Sequence, residues 1–341
     1  MTLKDIAGMA GVSVATVSYV LNHRDNKVSP EVAARVRSIM KEVNYQPNTM
    51  AKSLRSSKSR IIGILTEDLS VWQVGGIVQG ATHYAESRGY SVVISDLGLK
   101  AKIQSRYDDI YQYRSLIDTS ISRLKAIQVG GIIFVGMHDR SVNGLIQADV
   151  PVVYAYCSTE QADDVQVRYD NREISRQVTA ALLARFGGQV GIIDGPIQSS
   201  PARQRMAGVE EAFAQAGILM DLQLRQSGNW EYDSGRTACE KILACGHPVR
   251  AIYAFNDLMA LGAIRQLRES GLSVPGDVGV IGFDDTEAGM YADPSLTTVH
   301  VPLDEIGNES AAALITLLEE GRLEKKQFCL DCTLFERESY R

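Results

Sequence analysis

The sequence predicts an α/β protein: an N-terminal all-α helix-turn-helix head, then a two-lobed core of two parallel, doubly wound sheets. Three observations carry this. Residues 3–43 hold three short amphipathic helical patterns around a glycine turn. From residue 61, apolar strand-like runs alternate with amphipathic helical stretches, the pattern of parallel sheets covered on both faces. Charge divides at the same place: residues 1–60 carry ten Lys/Arg against four Asp/Glu, and the rest 25 against 37. A basic head on an acidic body suits a polyanion at one end and something else at the other.

The 341 residues exceed one small core and suggest two or three domains, with the 45% apolar and 22% charged content of an ordinary globular chain. The opening MTLKDIAG is charged by residue 4, and no apolar run approaches bilayer length. A cytoplasmic protein is expected, nucleoid-associated when bound to DNA. Five cysteines without secretory context read as free thiols. Cys329 and Cys332 have redox or zinc spacing, but with no second such pair and no His pair nearby they are read as packing.

In the head, Ile6, Ala7 and Ala10 line one face of the first helix, and Val17, Val20 and Leu21 the inner face of the second. Gly11 supplies the positive φ of a tight turn, and Ser13 is placed to cap the second helix. That helix would expose Val14, Ala15, Ser18 and Tyr19. The third starts at Ser29-Pro30-Glu31, with serine as cap and proline in the first turn. A plain three-helix bundle would share this packing, but basic charge favours DNA. The second helix would then enter the major groove: Ser13, Thr16, Ser18 and Asn22 on phosphates, Val14, Ala15 and Tyr19 at base edges.

The run LKDIA, GVS, ATVS, VLN and Y.PN..A.SLR, residues 3–60, resembles the DNA-binding head of the lactose/galactose-repressor family. The resemblance implies a hinge at NTMAKSLRSSKSR, a segment too short to be a stable isolated helix in water. Beside DNA its basic groups would meet phosphates, Asn48 would start the helix, and Ala51 and Leu54 would face the minor groove. Family members insert the matching leucine as a wedge that kinks the duplex. Tyr19 departs from the arginine many relatives carry, so the guanine contact of those relatives is not expected here.

Core strands are expected at 60–65, 90–95, 130–135, 151–156, 189–194, 251–255, 278–283, 296–301 and one late strand at 328–335. The resulting division is a head at 1–46, hinge at 47–60, first lobe at 61–157, second lobe at 158–285, and a return segment at 286–341 completing both. By resemblance the core is like that of periplasmic binding proteins. The Tyr-rich stretch 101–116 makes its connection roughly ten residues longer than the resemblance implies, as a longer helix or a flap.

Ligands in open parallel sheets collect at the carboxyl ends of strands, here Thr66-Glu67-Asp68, Asp96, Tyr156, Asp194, Asn256-Asp257 and Asp284-Asp285. The resemblance assigns effector contacts to Arg203, Asn256 and Asp284, groups suited to the hydroxyls of a sugar or polyol. Trp230 is either a stacking platform or core. Asp257 and Asp285 read as helix caps, and Asp284 with Arg203 could form a structural ion pair. The half of the site on the first lobe departs from the family pattern, with Trp72 displaced by a residue and Tyr156 at a commonly acidic position.

A ligand-responsive transcriptional repressor is therefore expected, a homodimer on a pseudo-palindromic operator, needing no cofactor or metal. Some relatives also answer to a phosphorylated protein partner, and that co-regulator stays open. No apolar heptads follow the core, which argues against a coiled-coil tetramer. An enzyme would need a nucleophile with a base, and no G-x-S-x-G or P-loop is present. An architectural DNA protein would leave the acidic body unexplained.

Overall fold

The computed structural model describes residues 1–21, 25–45, 59–103 and 110–340. The chain forms two compact units, Met1–Lys58 and Ser59–Arg341. No helix among the described residues is long and apolar enough to cross a membrane.

The first unit contains α1 (Leu3–Ala10), α2 (Val14–Leu21) and α3 (Pro30–Glu42). Thr2 and Asp5 form a capping box at the start of α1, each satisfying the other's backbone N–H. Gly11 then adopts φ +63, which a Cβ would strain, and turns the chain into α2. Ser13 Oγ accepts from Thr16 N at 3.1 Å, and Ser29 caps α3 with Pro30 in its first turn. Ile6, Ala7, Ala10, Val17, Val20, Ala33 and Val36 make the core of this unit. Leu21 is only half-buried.

The core begins with β1 (Ile61–Thr66), α4 (Trp72–Ser87), β2 (Ser91–Asp96), α5 (Lys100–Ile103), α6 (Arg114–Ala126), β3 (Gly131–Val135), β4 (Val152–Ala155) and β5 (Val165–Tyr169). It continues with α7 (Asn171–Phe186), β6 (Val190–Asp194), α8 (Ser200–Ala216), β7 (Arg225–Ser227), α9 (Tyr232–Ala244), β8 (Ala251–Ala254), α10 (Asp257–Glu269), β9 (Gly279–Asp284) and α11 (Glu287–Met290). Last come β10 (Thr297–His300), α12 (Leu303–Glu320), β11 (Gln327–Leu330) and β12 (Thr333–Phe335).

Two six-stranded sheets result, ordered β11-β5-β4-β3-β1-β2 and β12-β10-β9-β8-β6-β7. Every pairing is parallel except β12 against β10. Strand order reverses between β1 and β3 in one sheet and between β6 and β8 in the other. Such switch points open a crevice where the two following loops diverge.

The single late strand expected at 328–335 is two strands. β11 joins the first sheet and β12 the second, and Asp331-Cys332 cross between lobes. A continuous apolar-rich run cannot reveal that its halves pair with different neighbours. Strands β5 and β7 were not expected; β5 lies within 158–285 yet belongs to the first sheet, so that lobe reaches Tyr169. Its text, VQVRY, carries polar residues on an alternating pattern rather than an apolar run. Helix α12 packs on α4 so closely that a Cβ on Gly80 would sit 2.1 Å from the Asp304 carbonyl.

Of the Tyr-rich stretch, residues 104–109 lie outside the described residues. Around them, α5 and a 3-10 turn at Ile110–Tyr113 lead into α6. Tyr111 OH donates to the Asn143 carbonyl at 3.0 Å and Arg114 to that of Gly144 at 2.7 Å, so this stretch braces the loop after β3.

Candidate functional site

On the head, Ala15 is exposed at the start of α2, while Val14, Thr16, Ser18 and Tyr19 are half-buried. Ser13 Oγ lies 2.9 Å from Thr16 Oγ1, so these hydroxyls form one polar patch at the helix N-terminus. That end carries the positive pole of the helix dipole and suits a phosphate. Val14, expected at base edges, lends part of its surface to the core of the unit. The Lys27 ammonium stands 5.5 Å over the Tyr19 ring, adding positive charge to the face that ring presents. Asn22, Asn48, Ala51 and Leu54, with the expected hinge at 47–60 apart from Ser59 and Arg60, lie outside the described residues.

In the core, polar groups gather at the carboxyl ends of both sheets. Glu67, after β1, is fully buried; its Oε2 accepts from Met137 N at 3.0 Å and from Arg140 at 2.7 Å. Asp194, ending β6, accepts from Arg225 Nε at 2.7 Å through one oxygen. In both residues the second carboxylate oxygen is buried and has no hydrogen-bond partner among the described residues, as is true of Thr66 Oγ1, Ser199 Oγ and Trp230 Nε1. Buried polar atoms are normally satisfied, so this many unspent groups at one end of the sheets make it the candidate binding site. Asp68 and Asp96 are spent differently. Their side chains accept from backbone N–H groups of Ser70, Lys100 and Leu69 and close loops.

Asp284, ending β9, is 7% exposed and its carboxylate makes no hydrogen bond among the described residues. Burial pushes its pKa up to about 8, with the charge of Arg205 opposing and that of Asp257 adding. Half-buried His138, after β3, is pushed down to about 3 by burial and by the charges of Arg140, Arg205 and Lys100. Tyr156 is buried and stacks on Tyr169, ring centroids 5.7 Å apart, close enough to Asp284 for charge coupling. Six described non-glycine residues take positive φ, and four lie here: Tyr156, Trp230, Asp284 and Asp285. Such conformations cost about 1–3 kcal/mol each and concentrate where side chains must be aimed.

Several expectations are corrected. Arg203 is exposed and donates to the Ile197 and Gln198 carbonyls, while the buried arginine of this helix is Arg205. Positions two apart on a helix point about 200° from each other, so only one of the two arginines can face the crevice. The buried positions Ala202, Arg205, Met206, Val209 and Ala212 recur at helical spacing, a pattern that includes 205 and omits 203. Arg205 is 3% exposed. Its Nε donates to Asn171 Oδ1 at 2.8 Å, Nη2 to Tyr169 OH at 3.1 Å, and Nη1 to the Phe255 carbonyl.

Asn256, not Asp257, caps α10: its Oδ1 accepts from Met259 N at 2.9 Å, and its amide donates to the Trp230 carbonyl at 2.8 Å. It therefore holds the Trp230 backbone. Asp257 is fully buried and accepts from Thr298 Oγ1 and from the N–H and hydroxyl of Thr286. Asp285 is no cap either; Thr286 caps α11, while Asp285 pairs with Arg337 at 2.5 Å and His300 at 2.9 Å. Trp230 is half-buried, 5.8 Å from the Arg205 guanidinium, and so tightly seated that a Cβ on Gly195 would lie 2.3 Å from its ring. Trp72 opens α4 at 44% exposure, and no described hydrogen bond or ring contact links it to the others.

Comparison with known proteins follows the same division. Residues 2–48 match the model for bacterial regulatory proteins of the lacI family, and residues 167–340 that for a periplasmic binding protein-like domain. The ribose operon repressor of Escherichia coli (strain K12) is 30% identical, covering 99% of each chain. The HTH-type transcriptional repressor CytR of the same organism is 30% identical over 100% of this chain and 96% of its own. Among solved structures, the Lac repressor dimer bound to operator and the anti-inducer ONPF aligns with TM-score 0.81 and 29% identity, over 99% of this chain and 98% of that one. A complex of the regulator CelR with cellobiose aligns with TM-score 0.66 at 29% identity, over 99% of both chains.

Proposed function

As a member of the lacI family of bacterial regulatory proteins, this chain is a DNA-binding transcriptional regulator and not an enzyme, and we propose that a small polyhydroxylated effector held between its lobes sets its grip on an operator. The observation that carries the effector reading is the set of buried carboxylates at strand carboxyl ends, Glu67 and Asp194 with unspent oxygens and Asp284 with no hydrogen bond among the described residues. Each has a cationic neighbour: Arg140 for Glu67, Arg225 for Asp194, Arg205 for Asp284. The site is thus rich in acceptors yet close to neutral, which suits the hydroxyls of a sugar or nucleoside. Trp230 supplies an apolar face and an N–H donor.

The protein acts as a cytoplasmic homodimer on a pseudo-palindromic operator, because one short recognition helix spans only a half-site. Head residues Ser13, Thr16 and Ser18 hold phosphates, and Ala15 and Tyr19 meet base edges. Residues 47–60 serve as the hinge, ordered with DNA through Asn48, Ala51 and Leu54. Effector binding shifts the balance between two lobe arrangements, and only its differential affinity for the two can change operator binding.

The test is a thermal-shift panel of D-ribose, cellobiose, other neutral sugars, sugar phosphates and nucleosides. A neutral sugar or nucleoside raises the melting temperature, and Asp284→Ala and Arg205→Ala each abolish the rise while Arg203→Ala keeps it. A shift retained in both of the first two variants would place the effector elsewhere.

A further inference from the structure

The cleft arginine does not stand alone. Its acceptor, the fully buried Asn171, comes two residues after β5 of the first sheet and begins α7, which packs with α8 on the second. The two ends of this amide do different things. Its Oδ1 accepts from Arg205 Nε at 2.8 Å, and its Nδ2 donates to Asp139 Oδ2 at 3.2 Å. Asp139 lies in the loop after β3, 1% exposed, with Arg168 Nη1 3.6 Å from its other oxygen. Burial raises the pKa of Asp139, while Arg168 and hydrogen bonds from Asn171 and from Gln204 of α8 pull it down. Asn171 thereby joins a loop of the first lobe to the arginine of the second, which also donates directly to Tyr169 OH at the end of β5.

We propose that Asn171 is a positioning residue, and that the bridge Asp139–Asn171–Arg205 is a latch fixing the angle between the lobes through the protein's own hydrogen bonds. Three buried groups are tied in series, and an amide is the side chain that serves both ends, since it accepts from a guanidinium and donates to a carboxylate at once. The Asn171–Arg205 bond lies within the second lobe, so lobe opening loads the Asn171–Asp139 bond together with the parallel Arg205–Tyr169 bond. Arg205 is held in place for an occupant of the cleft, which lowers the ordering cost of binding. The latch deepens the reading of the cleft as an effector site, but its test needs no effector.

Small-angle scattering on the full-length protein reads the lobe angle. Trp230 emission, isolated by Trp72→Phe, reads the surroundings of Arg205. Asn171→Asp keeps an acceptor for Arg205 and sets a like charge against Asp139; it should widen the particle and leave Trp230 emission near that of the parent. Asn171→Ala should change both. Asp139→Ala should match Asn171→Asp and add nothing to it when combined, whereas Asp139→Asn, which keeps an oxygen for the amide, should restore the parent profile. Unchanged scattering in folded Asn171→Asp and Asp139→Ala would overturn the latch, as would additive widening in the double variant. Neither result would bear on whether Asp284 binds an effector.

Discussion

The guanidinium carbon of Arg205 lies 3.4 Å from the centroid of the Phe283 ring, one residue before Asp284 on β9. Three carbonyl, hydroxyl and amide acceptors take its N–H groups, so the planar fork is used on its edge and its face together. A lysine can do neither, being a point charge with rotatable donors. Arg205→Lys and Arg205→Ala should each cost about 3–5 kcal/mol, because the buried acceptors lose their charged donor. Arg203→Ala should stay within about 0.5 kcal/mol, as for an exposed residue. Urea unfolding of the three variants checks this.

Asp284 is expected to destabilise the fold at neutral pH. An unfolded carboxyl ionises near ~3.9, while in the fold the group is held at about 8. The folded state therefore grips the proton more tightly, and this contribution is full below the unfolded value and is lost as pH rises through 8. Asn carries no such penalty. The gain in unfolding free energy of Asp284→Asn over the parent should grow from pH 4 to 8 and level off above, at on the order of 1–3 kcal/mol, as read from urea unfolding at each pH. A gain that ignored pH between these limits would contradict the assignment.

Ser13 fixes the start of α2, through its bond to Thr16 N. Ser13→Ala should cost about 1 kcal/mol of head stability and weaken binding to all operators alike, since it supplies no base contact. Tyr19→Ala should instead change relative affinities among operator sequences. Binding titrations over a panel of operators and several salt concentrations separate the two effects.

Gly80 stands where α4 crosses α12, with the Asp304 carbonyl 2.1 Å from the position of any added Cβ. Backbone cannot yield there as a flexible side chain could. Gly80→Ala should destabilise by about 1–3 kcal/mol or more through overpacking, even though alanine is the better helix former. Chemical denaturation settles it.

How far the sequence reaches is plain from particular residues. Ser13, Gly11 and Ser29 act within a few positions of themselves, and their caps and turn are where local chemistry puts them. Asp284 was legible as a polar strand end because an apolar strand closes on it. Arg205 was missed although the helical spacing of its buried neighbours marks it, since motif matching favoured the arginine two residues earlier. Asn171 and Asp139 carried no signal, for they become partners only when loops 32 residues apart meet.

The sequence alone determined the helix-turn-helix head, the alternation that makes parallel sheets and the polarity of strand ends, because each depends on periodicity and short-range hydrogen bonding. Tertiary structure decided which sheet β5, β11 and β12 join, which arginine faces inward, and which of Asn256 and Asp257 caps its helix. Those outcomes rest on pairing across long separations and on burial, where a carboxylate or guanidinium takes its role from the partners that exclude water around it.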